Sequence, residues 1–314
     1  LRLVKPPELG TDVFNVVLGN SDGSPVIPVF DANFPVDFAL RRRKDAVDDT
    51  DASARLTGAK RVKTNLTDNQ SGSASAVFDS NLGWNNGDFD DRYVSWMWKR
   101  HAGFDCIAFQ GSSSDPGPSH AHELGKIPEL KIIKRRNASS TGWIATGTVV
   151  SQAMAGNNNS KDYYLYLNST SAATNSSNYW TGGNDSATHF TVRHGNGEAG
   201  GSADPYLCLL FASVEGISKV GYFTGTGATQ TITLGFQPRF LILKMVNSSS
   251  GAQWYVLDTV RGWGSGDDNF LELNTDDAQT GYNFGAPTST GFELTATAQG
   301  INASGDKMIY YAHA

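Results

Sequence analysis

Two histidines one residue apart are the most obvious candidates for metal chemistry in this 314-residue sequence. His120 and His122 would place both imidazoles on one face of an extended strand. Imidazole is a common ligand of transition metals, but a site needs further ligands that converge from other strands or subunits. The sequence does not indicate such ligands. We therefore interpret the pair as part of a solvated loop, and we predict no metal and no other cofactor.

Acidic residues are dense in two stretches of the first hundred residues, which offers a second candidate, a calcium site. Carboxylate oxygens are preferred ligands of Ca²⁺, but neither stretch has the ligand spacing of a known calcium loop. Asn and Asp are also common in turns, because their side chains hydrogen-bond the nearby backbone. We favour turns, with Asp88 and Asp90 as weak metal candidates. The two stretches contain Asp45, Asp48, Asp49 and Asp51, and then Asn85, Asp88, Asp90 and Asp91.

Tryptophan is a third candidate, since the sequence has seven and an indole offers a flat apolar face with a polar edge that suits sugar binding. Trp180 and Trp263 lie beside glycines in polar segments, and we predict that they are exposed in loops and contact a ligand. Four others lie within apolar runs and are predicted to be buried. These are Trp96, Trp98, Trp143 and Trp254.

Enzyme motifs are not evident. The sequence has no nucleophile elbow, zinc-protease helix, phosphate-binding loop or dinucleotide fingerprint. A glycosidase with two carboxylates stays open as an alternative, because the separation of its carboxylates is a property of the three-dimensional structure. No particular pair is indicated, and we predict a protein that is not an enzyme.

The composition limits the classes of partner. The net charge of −6 argues against a dedicated DNA- or RNA-binding protein. No apolar run approaches the roughly 18 residues of a membrane helix, so membrane insertion is not expected. Short basic runs at 41–44 and 134–136 are predicted to meet acidic loops of a neighbour or solvent.

One pattern recurs three times and predicts how these candidates are positioned. Residues 235–244 (GFQPRFLILK) match 125–134 (GKIPELKIIK) and, more loosely, 33–43 (NFPVDFALRRR). Proline has a fixed φ and no amide donor, which suits the start of a strand. The short apolar run that follows is typical of a strand covered on both faces, with a buried helix as the alternative. Gly, Pro, Asn and Ser on its flanks favour the strand.

The three patterns predict an all-β fold of three tandem units after an N-terminal arm at 1–10. The units are 11–102, which is the most divergent, 103–216 and 217–314. Each offers five to seven strands, with apolar runs at both ends that we expect to pair. We predict antiparallel β-sandwiches, jelly-roll or lectin-like in outline. Each unit is large enough for its own core, so we expect separate domains rather than solenoid turns.

Two further features accompany the pattern. A tryptophan follows the Pro-led strand in the second and third units, as Trp143 and Trp254, but not in the first. A later strand ends in asparagine in all three units, at Asn65, Asn168 and Asn274.

The two cysteines lie in the first and last strands of the second unit. Cys106 and Cys208 are interpreted as reduced core residues, with a disulfide as the alternative. The chain begins with Leu1, from which we expect processing or a further N-terminal part.

These motifs resemble a family of repeated domains in large virion structural proteins of marine bacteriophages, including those of cyanobacteria. The similarity covers nearly all of 11–314. The resemblance implies virion membership and carries no catalytic residues. It rests on the Pro-led strands 35–43, 128–136 and 238–244, on Trp143 and Trp254, on the aromatic closing strands 93–99, 206–212 and 310–312, and on the Asn-Ala-Ser-Gly turn at 302–305.

From this resemblance we expect a non-enzymatic component of the virion surface, a tail-fibre or receptor-binding protein. Its partners would be other virion proteins, a host surface glycan or protein, and further copies of itself, with a homotrimer expected because slender β fibres gain stability through shared interfaces. A capsid-decoration or head-fibre protein is the first alternative. A tailspike that depolymerises polysaccharide is the second.

Overall fold

Antiparallel β-strands make up almost the whole structure. The computed structural model describes residues 9–20, 27–87, 90–114, 118–158, 163–176, 179, 185–192, 197–201 and 203–314. These residues contain 25 strands, two short 3₁₀ turns and one α-helix. The predicted all-β class is therefore confirmed.

Among the described residues, the predicted units contain eight, eight and nine strands. The first unit contains β1 (Phe14–Leu18), β2 (Phe30–Asp31), β3 (Phe38–Arg43), β4 (Asp51–Ala54), β5 (Lys60–Lys63), β6 (Ser71–Gly72), β7 (Gly83–Trp84) and β8 (Tyr93–Trp98). The second contains β9 (Phe104–Gln110), β10 (His120–Ala121), β11 (Leu130–Arg135), β12 (Trp143–Thr146), helix α1 (Thr148–Ala155), β13 (Tyr163–Tyr166), β14 (Thr174–Asn175), β15 (His189–Phe190) and β16 (Pro205–Phe211). The third contains β17 (Ser218–Thr224), β18 (Gln230–Thr233), β19 (Phe240–Met245), β20 (Trp254–Asp258), β21 (Asp268–Glu272), β22 (Thr280–Tyr282), β23 (Gly285–Thr288), β24 (Gly291–Leu294) and β25 (Lys307–His313).

Each unit forms one six-stranded antiparallel sheet, and the three sheets have the same strand order. The orders are β1-β8-β3-β4-β5-β6, β9-β16-β11-β12-β13-β14 and β17-β25-β19-β20-β21-β22. We call these the first, second and third sheets. The first and last strands of each unit pair with each other, as the sequence predicts. The Pro-led strands β3, β11 and β19 lie third in every sheet, so the strand interpretation is correct and the helix alternative is wrong.

Small sheets cover the outer faces of the three large ones. They are the pairs β2–β7 and β10–β15 and the three-stranded sheet β18-β24-β23. A hydrophobic cluster lies between each small sheet and its large sheet. In the first unit, for example, Trp84 of β7 is fully buried and its indole donates to Ser95 Oγ of β8 at 2.9 Å. This arrangement agrees with a β-sandwich.

The inner faces of the three large sheets pack against one another around a single core. One cluster of buried residues draws on all three sheets, and we call it the central core. The expectation of separate domains is therefore wrong, because each sheet buries its outer face within its own unit but its inner face against the other two units. Aromatic rings meet across every pair of units: Phe14 and Phe240 at 4.8 Å, Phe38 and Phe104 at 5.9 Å, and Phe211 and Tyr311 at 4.8 Å between centroids.

Polar groups within the central core are hydrogen-bonded across units. The indole of Trp96 donates to Asp258 Oδ2 at 3.0 Å, and that carboxylate also accepts from Arg261 Nε at 2.6 Å. The guanidinium of Arg261 lies over the ring of Trp96, 5.2 Å from its centroid. Because Arg261 balances the charge of Asp258 and the carboxylate accepts hydrogen bonds from both units, the third unit can bury this ion pair against the first.

Two elements escape the sequence patterns. Strand β4 lies in the polar segment 44–58, and its Asp51 is buried because it accepts from Arg41 and Arg61, each at 2.8 Å. Helix α1 follows Gly147 without a side-chain cap and packs on β17 and β25 of the third unit. No helix within the described residues is long and apolar enough to span a bilayer.

The two cysteines are free and buried, and they face opposite sides of the second sheet. Cys106 stands opposite Leu209 and belongs to the central core, whereas Cys208 stands opposite Ile107 and belongs to the outer cluster of its unit. Successive side chains of a strand alternate between faces, so the two thiols are directed apart. The interpretation as reduced core residues is confirmed, and the disulfide alternative is wrong.

The Asn-Ala-Ser-Gly turn is structural. Asn302 is fully buried, and its amide nitrogen donates to the carbonyls of Ala228 and Ala296 at 2.8 and 3.1 Å. Gly305 has a φ of 87°, which favours glycine, just before the closing strand β25.

Candidate functional site

The interpretation of His120 and His122 as part of a solvated loop is wrong, because one lies in a strand and the other is buried. His120 lies in β10 with its ring 4.0 Å from that of Phe109, while His122 is buried with Nε2 3.2 Å from the carbonyl of Ser186. Burial lowers the pKa of His122, which favours the neutral ring. Both rings pack on Phe190. Among the residues with a described position, no three His, Cys, Asp or Glu side chains are grouped so that they could hold a metal.

Of the two acidic metal candidates, Asp88 and Asp90, the structure describes only one. Asp88 lies outside the described residues. Asp90 pairs with Arg92, whose Nε donates to Asp90 Oδ1 at 2.9 Å. This hydrogen bond is the main reason that the pKa of Asp90 is lowered. The carboxylate therefore has a cationic partner from its own turn.

The predicted tryptophan platform is not found where the structure can test it. Trp263 is only 4% exposed and packs on Phe292, with centroids 6.2 Å apart. Its polar, glycine-rich neighbours suggested an exposed loop, but the loop folds back over the core of the third unit. The prediction that Trp263 is exposed is wrong. Trp180 lies outside the described residues.

The tryptophans predicted to be buried are all at most 1% exposed, which confirms that prediction. Two of them also connect units. The indole of Trp143 in the second unit donates to the carbonyl of Lys63 in the first at 2.8 Å. The indole of Trp254 in the third unit donates to the carbonyl of Tyr166 in the second at 3.0 Å.

These two contacts are equivalent by strand register. Lys134 stands opposite Trp143 and Lys244 opposite Trp254. The acceptors are equivalent too. Tyr166 stands opposite Ile144, the residue after Trp143, and Lys63 stands opposite Asp51, the residue after the corresponding position of the first unit. The second unit therefore binds the first as the third binds the second.

The first unit binds the third at the same position, although it lacks the tryptophan. Register places Arg42 where the other units have lysine and Thr50 where they have tryptophan. Arg42 Nη1 donates to the carbonyl of Glu272 at 2.6 Å, and Glu272 occupies the position of Tyr166 and Lys63. The guanidinium thus makes the contact that an indole makes elsewhere.

Main-chain hydrogen bonds complete three matching interfaces, which together we call the contact ring. In each interface, a backbone amide that follows the fifth strand of one sheet donates to a backbone carbonyl of the next unit. That carbonyl lies two residues after the buried cation of its unit, which is Arg42, Lys134 or Lys244. Gln70 donates to Arg136 at 2.7 Å, Ala173 to Val246 at 2.7 Å, and Gln279 to Lys44 at 2.8 Å.

The three buried cations differ in their response to burial. Burial lowers the pKa of Lys244 to about 7 and that of Lys134 to about 8. The pKa of Arg42 is also lowered, chiefly by burial, but the nearby carboxylates of Asp48 and Asp276 oppose the shift. Arginine stays protonated at physiological pH because its unperturbed pKa is so high. The sequence analysis predicted acidic loops or solvent as the partners of the two basic runs. It did not indicate that buried cations would donate to carbonyl groups.

Where the first unit meets the third, a cleft of about 330 Å³ opens at the end of the β21–β22 hairpin. Arg42 holds the backbone of this hairpin by donating to the carbonyls of Glu272, Thr275 and Asp277. We call it the Glu272 cleft. Its lining residues are Phe270, Leu271, Glu272, Thr275, Asp277, Ala278 and Thr280.

The Glu272 cleft combines an aromatic surface with oxygen acceptors. Burial, as the largest cause, raises the pKa of the Glu272 carboxyl, and Thr275 Oγ1 donates to it at 3.2 Å. Phe270 is half-buried, and Asp277 is exposed. Such a site can accept hydrogen bonds from hydroxyl or ammonium groups and contact an apolar face. No motif or residue spacing in the sequence marks the residues that line this cleft, all of which belong to the third unit.

A protein-family model described as a domain of unknown function, DUF7483, matches residues 10–314. No curated protein matches the chain.

Proposed function

We propose that this chain, which belongs to the DUF7483 family, is a rigid module that displays binding surfaces and is not an enzyme. The observation that carries the proposal is the contact ring. Three units that follow one another in sequence are closed into a cycle by matching contacts, and the first and third units meet although about 230 residues separate Arg42 from its acceptors. Such closure fixes the outer sheets and their loops relative to one another.

We further propose that the three units are copies of one ancestral β-sandwich, jelly-roll or lectin-like in outline. The common strand order supports this proposal. So do residues of the same type at equivalent positions: Asn168 and Asn274 each accept from the amide of a buried tryptophan, at 2.9 and 2.8 Å. Independent origins would not be expected to reproduce both the order and the register.

For the biological setting we propose the virion surface, as a tail-fibre or receptor-binding component that contacts other virion proteins and a host glycan or protein. The resemblance of the Pro-led strands and closing strands to phage structural domains supports this setting. The homotrimer stays a prediction. It was expected because slender β fibres gain stability through shared interfaces, and three units of one chain already share such interfaces. Light scattering of the purified protein would show whether three chains also associate.

Immuno-electron microscopy of the phage particles tests the setting. An antibody raised against the purified chain should label tail fibres or their tips. Label on the head would instead support the capsid-decoration alternative. Particles without label would contradict both.

One observation favours a depolymerase as second candidate. The Glu272 cleft contains two carboxylates, and one has a raised pKa, as in many glycoside hydrolases. Incubation of the protein with host polysaccharide, followed by size analysis of the glycan, separates the two proposals. A lower mass that reverts in Glu272→Gln would establish the enzyme. An unchanged mass would eliminate it.

A further inference from the structure

We propose that the Glu272 cleft binds one sugar residue of a surface glycan, with the ring on Phe270 and its hydroxyls on Glu272 and Asp277. The inference rests on the proposed display function, for which it names the ligand class. A volume of about 330 Å³ lies at the lower end of the range for small-ligand pockets, roughly 300–1,000 Å³.

The backbone of the cleft is organised before any ligand arrives. Arg42 donates to three carbonyls of the hairpin from the side of the first unit. Two main-chain hydrogen bonds add to this, from Asp48 to the carbonyl of Asp276 at 2.9 Å and from Gln279 to that of Lys44. A ligand therefore need not order the hairpin, which lowers the free-energy cost of binding.

The second sheet shows what the matching surface accommodates. Tyr164 and Tyr166 occupy the register positions of Phe270 and Glu272. The ring of Tyr179 lies 4.1 Å from that of Tyr164, and its hydroxyl lies 3.0 Å from the Tyr166 hydroxyl. The Tyr179 hydroxyl also donates to a carboxylate oxygen of Glu198 at 2.8 Å.

In the second unit, then, a hydroxylated six-membered ring packs on the aromatic residue, and its hydroxyl group is bound by a carboxylate. In the third unit the equivalent strand carries an aromatic residue and a carboxylate beside an open cleft. A pyranose supplies the same two features, an apolar ring face and hydroxyl donors. The comparison with Tyr179 therefore favours a sugar over a simple cation.

Saturation-transfer NMR on the full chain tests the proposal. The probes are the methyl glycosides of glucose, galactose, N-acetylglucosamine and rhamnose at ~10 mM, a concentration that fills most sites even at millimolar affinity. At least one glycoside should give a signal. Glu272→Gln should weaken its binding by about fivefold or more, since a charged acceptor is lost. Asp277→Asn should weaken it by about twofold.

The control is Glu215→Gln, an exposed carboxylate outside the cleft, which should leave binding unchanged. Melting temperatures of all variants must match that of the wild type, and Asp277→Asn keeps the test valid if Glu272→Gln is unstable. Absence of signal from all four glycosides overturns the proposal. A signal that stays at the wild-type level in both cleft variants also overturns it. Binding of CaCl₂ or methylammonium without any glycoside would assign the cleft to cations and also overturn it.

The outcome is distinct from that of the virion test. Labelled tail fibres without sugar binding would overturn the sugar site and leave the display function. Sugar binding without labelled particles would leave the sugar site and overturn the virion setting.

Discussion

The interface between the first and third units and that between the third and second make the same contact with different side chains. At the latter, Trp254 donates an indole N–H to a main-chain carbonyl, and Lys244 lies opposite it. At the former, Arg42 reaches the equivalent carbonyl and also donates to Thr50, which replaces the tryptophan. The comparison teaches that the absence of a motif residue from one unit need not mean the absence of its contact.

The two solutions differ in what they demand of the site. An indole fills volume and needs one acceptor, whereas a guanidinium has five N–H donors and needs several. Arg42 finds them in the carbonyls of Glu272, Thr275 and Asp277. The interface between the first and third units therefore depends more on hydrogen bonds, and the other two interfaces depend more on packing.

The largest loss of stability is expected at the interface between the second and third units, where packing contributes most. Trp254→Ala should lower the free energy of unfolding by about 3–5 kcal/mol, since it empties a fully buried site and removes a hydrogen bond between units. Urea unfolding followed by circular dichroism measures the loss. Tyr222→Ala is the matched control, because Tyr222 is 48% exposed, and it should cost less than about 0.5 kcal/mol. Similar losses in both variants would contradict the role of the contact ring.

The next largest loss of stability is expected at the interface between the first and third units, where hydrogen bonds contribute most. Arg42→Ala should cost roughly 2–4 kcal/mol, because it leaves several carbonyls at the interface without a donor. Hydrogen exchange should rise at Gln279, whose amide bonds the first unit, and stay low at Ala173, which belongs to another interface. Equal exchange at both amides would show that the interfaces do not open separately.

The double variant Arg42→Lys with Thr50→Trp sharpens this test, because it gives the first unit the pair used by the others. If the positions are equivalent, it should be more stable than the sum of the two single changes predicts, by roughly 1–2 kcal/mol. Additive losses would contradict the equivalence.

The units also differ in their expected response to pH, because only the third unit has a histidine, His313, where the others have Trp98 and Phe211. His313 and His101 are buried with ring centroids 6.0 Å apart. Burial lowers the pKa of His101 to about 3 and that of His313 well below its ordinary value. The nearby cations Lys99 and Arg239 act in the same direction.

The sign follows from linkage. The unfolded chain takes up protons on these histidines near pH 6.5, while the folded chain does not, so stability is retained above pH 6.5 and lost below it. Between pH 7 and 5 each histidine should cost about 2 kcal/mol. His313→Phe, which introduces the residue of the second unit, should remove about half of this dependence in urea titrations. An unchanged slope would show that His313 does not titrate on unfolding.

Much of the fold follows from local patterns. The Pro-led strands, the pairing of first and last strands and the buried tryptophans are all set by proline geometry and short apolar runs. Strand β4 was missed because Asp51 and Ser53 look exposed until Arg41 and Arg61 neutralise the carboxylate. The central core depends on contacts between units distant in sequence, which no periodicity encodes. The lining of the Glu272 cleft comes from one segment of the third unit, and only the contact of its backbone with Arg42 is distant in sequence. The prediction for Trp263 failed for a local reason, since its burial depends on a loop that folds back over the core of its own unit.

The smallest effect is expected at Cys106, where the comparison of units predicts a tolerated change. Register places Cys106 at the position of Val16 and Val220, all three in the central core. Valine adds one methyl group in volume and has no polar atom, and the other two units accommodate it at this position. Cys106→Val should therefore change stability by about 1 kcal/mol or less. Cys208→Val, on the outer face of the same sheet, is the matched variant without such a precedent in register. If Cys106→Val cost several kcal/mol, the inner faces of the three sheets would not be interchangeable at this position, and the case for three copies of one unit would rest on strand order and on the contacts between units.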